Sequence, residues 1–177
     1  GTEEVRLTSD QLAQSLRPDG RLGAQLEVLT ALAAMDQGAD EEPDGQTPES
    51  TDEQAPRDSD SPDLKVRDGT CVAVDPDLLV TVQAMSRGYR VMKTPDDPRS
   101  GTVAGNGREA AAEWLDRLRT VARSMCITAL PYAQAGLNSL KLIDDGELSA
   151  DALRDPADLV DSILGVTSLR GLTIPAN

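Results

Sequence analysis

The chain has 177 residues, 31 acidic and 17 basic, which gives a formal net charge of −14. This charge repels phosphate backbones and anionic lipids, so neither nucleic acid nor direct membrane contact is expected. The chain contains no His, which excludes Ser-His-Asp and Cys-His nucleophiles and histidine-based catalytic zinc sites. We therefore predict no assembled catalytic centre, no cofactor and no metal site.

The first predicted unit, residues 1–36, consists of two helices. Thr8 as N-cap with Gln11 three residues later forms a capping box, and Leu7 is placed to contact Leu12 across the start of the helix. A Pro-Asp-Gly interruption follows at residues 18–20. Leucines then recur at helical spacing and predict a second helix that ends near Met35.

Residues 37–64 are predicted to be a disordered acidic insertion. Ten acidic residues between Gln37 and Asp63 are opposed by a single base, Arg57, and the segment carries four prolines and no large aliphatic side chain. Such a stretch buries too little apolar surface to offset the entropy lost on ordering. We favour a spacer over an acidic regulatory element.

Residues 65–177 are predicted to form a βαβαβ core that is truncated at its C-terminal end. Its first helix is delimited by Asp75 as N-cap, Pro76 at the first helical position and Gly88 as terminator, with Leu78, Val82 and Met85 on one face. The predicted strands are 71–74, 126–130 and 172–174, with a further short one at 89–92, and the other helices are 108–123, 137–143, 149–153 and 156–164, the last capped by Asp155 and ended by Gly165.

Strands that alternate with helices indicate an α/β fold with parallel strands. We predict a partial (β/α) barrel-like arrangement or an open sheet. Residues 101–107 are rich in glycine and precede a helix, but they lack the Lys-Ser/Thr of a phosphate-binding loop. We interpret them as part of a connector that spans residues 94–107.

Cys71 and Cys126 open the first two main strands. If those strands are neighbours in register, their backbones lie about 4.8 Å apart, within the range of a disulfide. The alternative is two separate buried thiols, which would result if the 89–92 strand lay between them. We favour the disulfide, which would place the domain in an oxidising compartment.

Four polar residues follow the ends of the predicted strands, where α/β folds place their sites. Asp75 is the best placed of them for chemistry, although its role as a helix N-cap requires no further function. The predicted binding residues of this rim are Asp75, Tyr132, Gln134 and Asn177.

Several segments in order resemble a known family. They are 71–79, Met85, Tyr89, 114–119, the Leu-Pro-Tyr-Ala run at 130–133 and the stretch 161–166 before the last strand. In combination they resemble a large, secreted, membrane-anchored actinobacterial cell-envelope protein of unknown function, encoded in mycobacteria near the lipid II flippase. The likeness covers nearly the whole chain outside the acidic insertion.

The resemblance implies an extracytoplasmic (periplasmic or cell-envelope) location, an upstream signal peptide, further domains on both sides and a C-terminal membrane anchor. It implies no established activity, although the family's central region is similar to polysaccharide-processing (β/α) enzymes. Members often carry Asp two residues after the Tyr of Leu-Pro-Tyr-Ala, where this chain has Gln134. That departure counts against a deacetylase or glycosidase.

Two functions follow as hypotheses. The first is a non-catalytic envelope domain that binds a protein or glycan partner and supports peptidoglycan assembly. The alternative is a fragment of a carbohydrate-active barrel in which Asp75 acts as acid or base.

Overall fold

A computed structural model describes residues 5–34, 69–95, 97 and 99–171. This part of the chain contains both helices and strands and is a mixed α/β structure. The helices are α1 (Gln11–Leu16), α2 (Arg21–Ala34), α3 (Pro76–Arg87), α4 (Arg108–Ala122), α5 (Leu137–Ile143), α6 (Gly146–Leu153) and α7 (Asp155–Leu164). The strands are β1 (Arg6–Leu7), β2 (Cys71–Val74), β3 (Arg90–Met92), β4 (Thr102–Ala104) and β5 (Cys126–Ala129).

The predicted pairing of the two main strands is confirmed. β2 and β5 are parallel neighbours, in register from Cys71 opposite Cys126 to Val74 opposite Ala129. Beyond β5, Leu169 makes a parallel bridge to Thr128, and its amide donates to the Ile127 carbonyl at 2.7 Å. The chain therefore returns to the sheet three residues before the strand predicted at 172–174, which itself lies outside the described residues.

The predicted strand at 89–92 is β3, and it belongs to a second sheet in the order β1-β3-β4. It therefore does not separate the two cysteine-bearing strands. β1 runs parallel to β3, and β4 runs antiparallel to it. Among the described residues these strands form two small sheets and close no barrel.

Two local expectations are wrong. Residues 94–107 are not only a connector, because β4 pairs with β3 and the Arg90 guanidinium donates to the Thr102 hydroxyl and carbonyl. Thr8 is not the cap of the first helix: α1 begins at Gln11 with Asp10 in the cap position, and Leu7 belongs to β1. Both errors involve strands of two or three residues, which are too short to show a period in the sequence.

A third expectation is corrected at α7. Asp155 is the first residue of that helix, and the cap position belongs to Arg154, without a side-chain cap bond. The ends of the helices at Gly88 and Gly165 are confirmed, both with positive φ, 116° and 71°. Glycine adopts such a conformation without the steric cost that a Cβ would bring.

The core lies among α3, α4 and α7, which pack on one another, and the strands contribute Val74, Val91 and Ile127 to it. On α3 the innermost side chains are Leu79, Val82 and Met85, all fully buried, while Leu78 is only partly buried. Full burial of each such side chain contributes about 1.5–3 kcal/mol. The single tryptophan, Trp114, is buried on α4 and its indole N–H donates to the Leu22 carbonyl at 3.1 Å.

Tyr89 connects three parts of the chain. Its hydroxyl donates to the Asp10 carboxylate at 2.5 Å and accepts from the Gly107 amide at 3.0 Å. A Cβ at Gly105 would overlap the Tyr89 ring. The chain after β4 can therefore pass this close to the ring only because residue 105 is a glycine. The Asp10 carboxylate thus accepts from Tyr89 and makes no side-chain cap bond to α1.

The predicted domain boundaries stay predictions. The acidic insertion at 37–64 lies outside the described residues, and residues 172–177 do as well. The two segments that flank the insertion, 5–34 and 69–171, contribute to one hydrophobic core.

Candidate functional site

The rim at the carboxyl ends of β2 and β5 begins with Asp75, which follows Val74 directly. Its Oδ1 accepts from the amides of Asp77 at 2.9 Å and Leu78 at 3.4 Å. This is the N-cap predicted from the sequence, and it is confirmed. The carboxylate neutralises the positive end of α3 and provides partners for two amides that have none within the helix.

Asp77, two residues later, connects α3 to the turn that follows β5. Its Oδ2 accepts from the Ala133 amide at 2.9 Å. Ala133 has a left-handed backbone conformation, with φ 49° and ψ 24°, inside the 3₁₀ turn Tyr132–Gln134. An alanine in this region is uncommon, and the hydrogen bond that its amide donates to Asp77 helps to hold it there.

Tyr132 is half-buried at the same edge. Burial raises the pKa of its phenol, and the negative charges of Asp155 and Asp77 raise it further. A phenol is protonated at neutral pH and can donate a hydrogen bond, and the raised pKa extends that range towards higher pH. Asp155, at the start of α7, is exposed, so it adds an acidic side chain to the rim from a third element.

Asp75 and Tyr132 both lie at the edge where the parallel strands β2 and β5 end. For Gln134 the backbone lies in the same turn, while its side chain is outside the described part of the molecule. Asn177 is also outside it. The roles of all four residues in binding stay predictions.

Sequence reasoning missed two rim residues, Asp77 and Asp155. The rim residues predicted from the sequence include one acid, Asp75, whereas the negative charges of Asp77 and Asp155 both act on Tyr132. Asp77 was detectable, because the Asp-Pro-Asp run places a second carboxylate in the first turn of α3. Asp155 had no sequence signal, since it follows β5 by more than 20 residues.

The disulfide between Cys71 and Cys126 is confirmed, with the two Cα atoms 4.5 Å apart. It joins the amino ends of β2 and β5, at the opposite end of the strands from the rim. It therefore secures the pair of strands that presents Asp75 and Tyr132 without taking part in the rim itself.

Over the described ranges, no group of three or more His, Cys, Asp or Glu side chains is arranged to hold a metal ion. No helix in the same part of the chain combines the length and the apolar character that crossing a membrane requires. Comparison of the chain with protein-family models, with curated proteins and with solved structures finds no match.

Proposed function

We propose that this chain is a non-catalytic, extracytoplasmic cell-envelope domain that binds a protein or glycan partner and supports peptidoglycan assembly. The observation that carries the proposal is that Asp75 serves as the N-cap of α3. The carboxylate best placed for chemistry holds the first amides of α3, and Asp77 beside it holds the Ala133 amide. Both therefore have structural work at the rim that needs no reaction.

The extracytoplasmic location is supported by the disulfide, because such bonds form and persist in oxidising compartments. The resemblance to a secreted actinobacterial envelope protein supports the same location. The order of β2, α3 and β5, continued by the parallel bridge at Leu169, is also compatible with the partial (β/α) arrangement that the resemblance implies.

The rim has features suited to a polar ligand. Tyr132 is a half-buried aromatic side chain with a hydroxyl donor, and the exposed Asp155 carries acceptors for hydroxyl or amide groups. Amphipathic aromatic side chains next to hydrogen-bonding groups are frequent at sites that bind sugars and peptides. We therefore place the proposed binding at Tyr132 and its acidic neighbours.

Binding of soluble peptidoglycan fragments and of purified envelope proteins by the immobilised chain tests this proposal. Tyr132→Ala is expected to weaken capture, whereas Asp75→Asn is expected to leave it unchanged because Asn is also a good N-cap. Asp116 on α4, an exposed acid paired with Arg119, gives the matched control Asp116→Asn.

The same variants distinguish the rival, a carbohydrate-active enzyme that uses Asp75 as acid or base. The rival would be established if the unmodified chain released sugar or acetate from peptidoglycan fragments and Asp75→Asn lowered the rate of release by orders of magnitude. Absence of capture for every fragment and protein, or capture that Tyr132→Ala does not alter, would refute binding at this rim.

A further inference from the structure

The hairpin formed by α5 and α6 exposes a concentration of large aliphatic side chains. Leu142 is 86% exposed and Ile143 58%, and the next helix adds Leu148 and Leu153. Half of the large hydrophobic side chains exposed in the described part of the chain thus fall within twelve consecutive residues. Single exposed aliphatics are ordinary, but a concentration of them marks an interaction surface.

The domain's own core does not account for these side chains. On α5 the side chain that is buried among those described is Leu140, and Leu142 lies on the opposite side of the helix. α5 packs on α6, α6 packs on α7, and the buried side chain of α6 is Ala152. The hairpin is therefore attached by its inner side and leaves Leu142 and Ile143 turned to solvent.

The charges around this surface indicate what covers it. Four exposed acids, Asp144, Asp145, Glu147 and Asp151, stand against one base, Lys141, between the first residue of α5 and the last of α6. An anionic membrane would be repelled by these acids. A second copy of the chain, itself at −14, would bring the same acids to the interface.

We infer that the α5–α6 hairpin is a docking surface for a basic amphipathic segment of a partner protein. The aliphatic side of that segment covers Leu142 and Ile143, and its Lys or Arg side chains lie against Glu147 and Asp151. An amphipathic helix that places its apolar face on a complementary surface is a recurrent mode of peptide recognition. The inference rests on the proposed binding function and names the chemistry of a protein partner.

The test uses the whole 177-residue chain and synthetic peptides. The probe is a helical Leu/Lys amphipathic peptide, compared with a scrambled peptide of the same composition and with a Leu/Glu counterpart. Calorimetric titration is expected to show binding of the Leu/Lys helix alone, and amide chemical-shift changes are expected to centre on α5 and α6. Equal binding of the scrambled peptide, or shift changes centred elsewhere, would overturn the inference.

A pair of variants separates this surface from general attraction to an acidic protein. Leu142→Ser combined with Ile143→Ser removes exposed apolar surface and is expected to weaken binding about tenfold. Val28→Ser, at a residue 68% exposed on α2, is the matched control and is expected to change nothing. Equal affinities for the double variant and the unmodified chain would contradict the inference.

Two further measurements address the other occupants. If the chain co-sediments with phosphatidylglycerol vesicles and Leu142→Ser abolishes this, the hairpin binds a lipid surface and the inference of a peptide partner is wrong. If analytical ultracentrifugation shows a dimer that Leu142→Ser dissociates, the hairpin binds a second copy of the chain and the inference is wrong as well. If the inference holds, Tyr132→Ala leaves peptide binding at the hairpin intact. The Leu142→Ser and Ile143→Ser changes therefore test the hairpin, and Tyr132→Ala tests the rim proposal separately.

Discussion

Cys71 and Cys126 stand opposite each other on the first rung of two parallel strands, 55 positions apart in the chain and with Cα atoms 4.5 Å apart. The bond closes a loop that contains α3, the β3–β4 hairpin and α4. The bond therefore limits the conformations that this segment can adopt in the unfolded chain, which stabilises the folded state relative to it.

Replacing both cysteines by serine is expected to lower the free energy of unfolding by about 4 kcal/mol on the chain-entropy model. Urea unfolding followed by Trp114 fluorescence measures the loss. Dithiothreitol is expected to destabilise the unmodified chain similarly and to leave the double-serine variant unchanged. Two free thiols in the denatured, unreduced protein would contradict the bond.

Tyr89→Phe is expected to destabilise the fold by about 1–3 kcal/mol, because the buried Gly107 amide and the Asp10 carboxylate each lose a hydrogen-bond partner. Urea unfolding is again the measurement. Tyr132→Phe is the matched control, since Tyr132 is only half-buried, and its effect is expected to be smaller. Equal losses in the two variants would show that the Tyr89 hydroxyl has no special role.

The same tyrosine predicts a loss of stability in alkali. Burial, followed by the hydrogen bond to Asp10, raises the pKa of Tyr89 from 10.0 to about 12. The folded state therefore holds this proton more tightly than the unfolded state, and stability is lost as pH rises from about 10 through about 12. Tyrosinate absorbance of Tyr132→Phe isolates the titration of Tyr89, and a midpoint near 10 would contradict the prediction.

Asp75→Ala is expected to cost about 1 kcal/mol of stability, because the first amides of α3 lose their side-chain partner, while Asp75→Asn is expected to cost far less. Asp145→Ala, at the cap of α6, provides a comparison on a more exposed helix. Chemical denaturation of the three variants measures the effect. A large loss in Asp75→Asn would mean that its charge, rather than its capping oxygen, is what the fold requires.

Asp161 predicts a loss of stability in acid. Burial opposes its ionisation, but hydrogen bonds from Ser168 and Arg170 and the charge of Arg170 outweigh that effect and lower its pKa below 3.8. Its contribution is therefore present above the ordinary pKa and is lost as pH falls through the lowered value. Arg170→Gln is expected to raise this pKa in a carboxyl NMR titration, and an unmoved pKa would rule out the arginine as a cause.

Much of the local structure followed from short-range chemistry. The Asp75-Pro76 start of α3, the glycine ends of α3 and α7 and the apolar stripe of α4 are decided within one or two helical turns. Asp75 and Tyr132 are candidates for the rim for the same reason, because Asp75 follows β2 directly and Tyr132 lies three residues after the end of β5.

Contacts between distant segments were decided only by the tertiary structure. β1 and β4 are too short to have a sequence signature, and their strand character depends on β3 between them. The partner of Tyr89, 79 positions away, and the approach of Asp77 and Asp155 to Tyr132 depend on how α3 and α7 pack. Cysteine spacing made a disulfide feasible, but the bond required the parallel register of β2 and β5, which the packed helices and strands together determine.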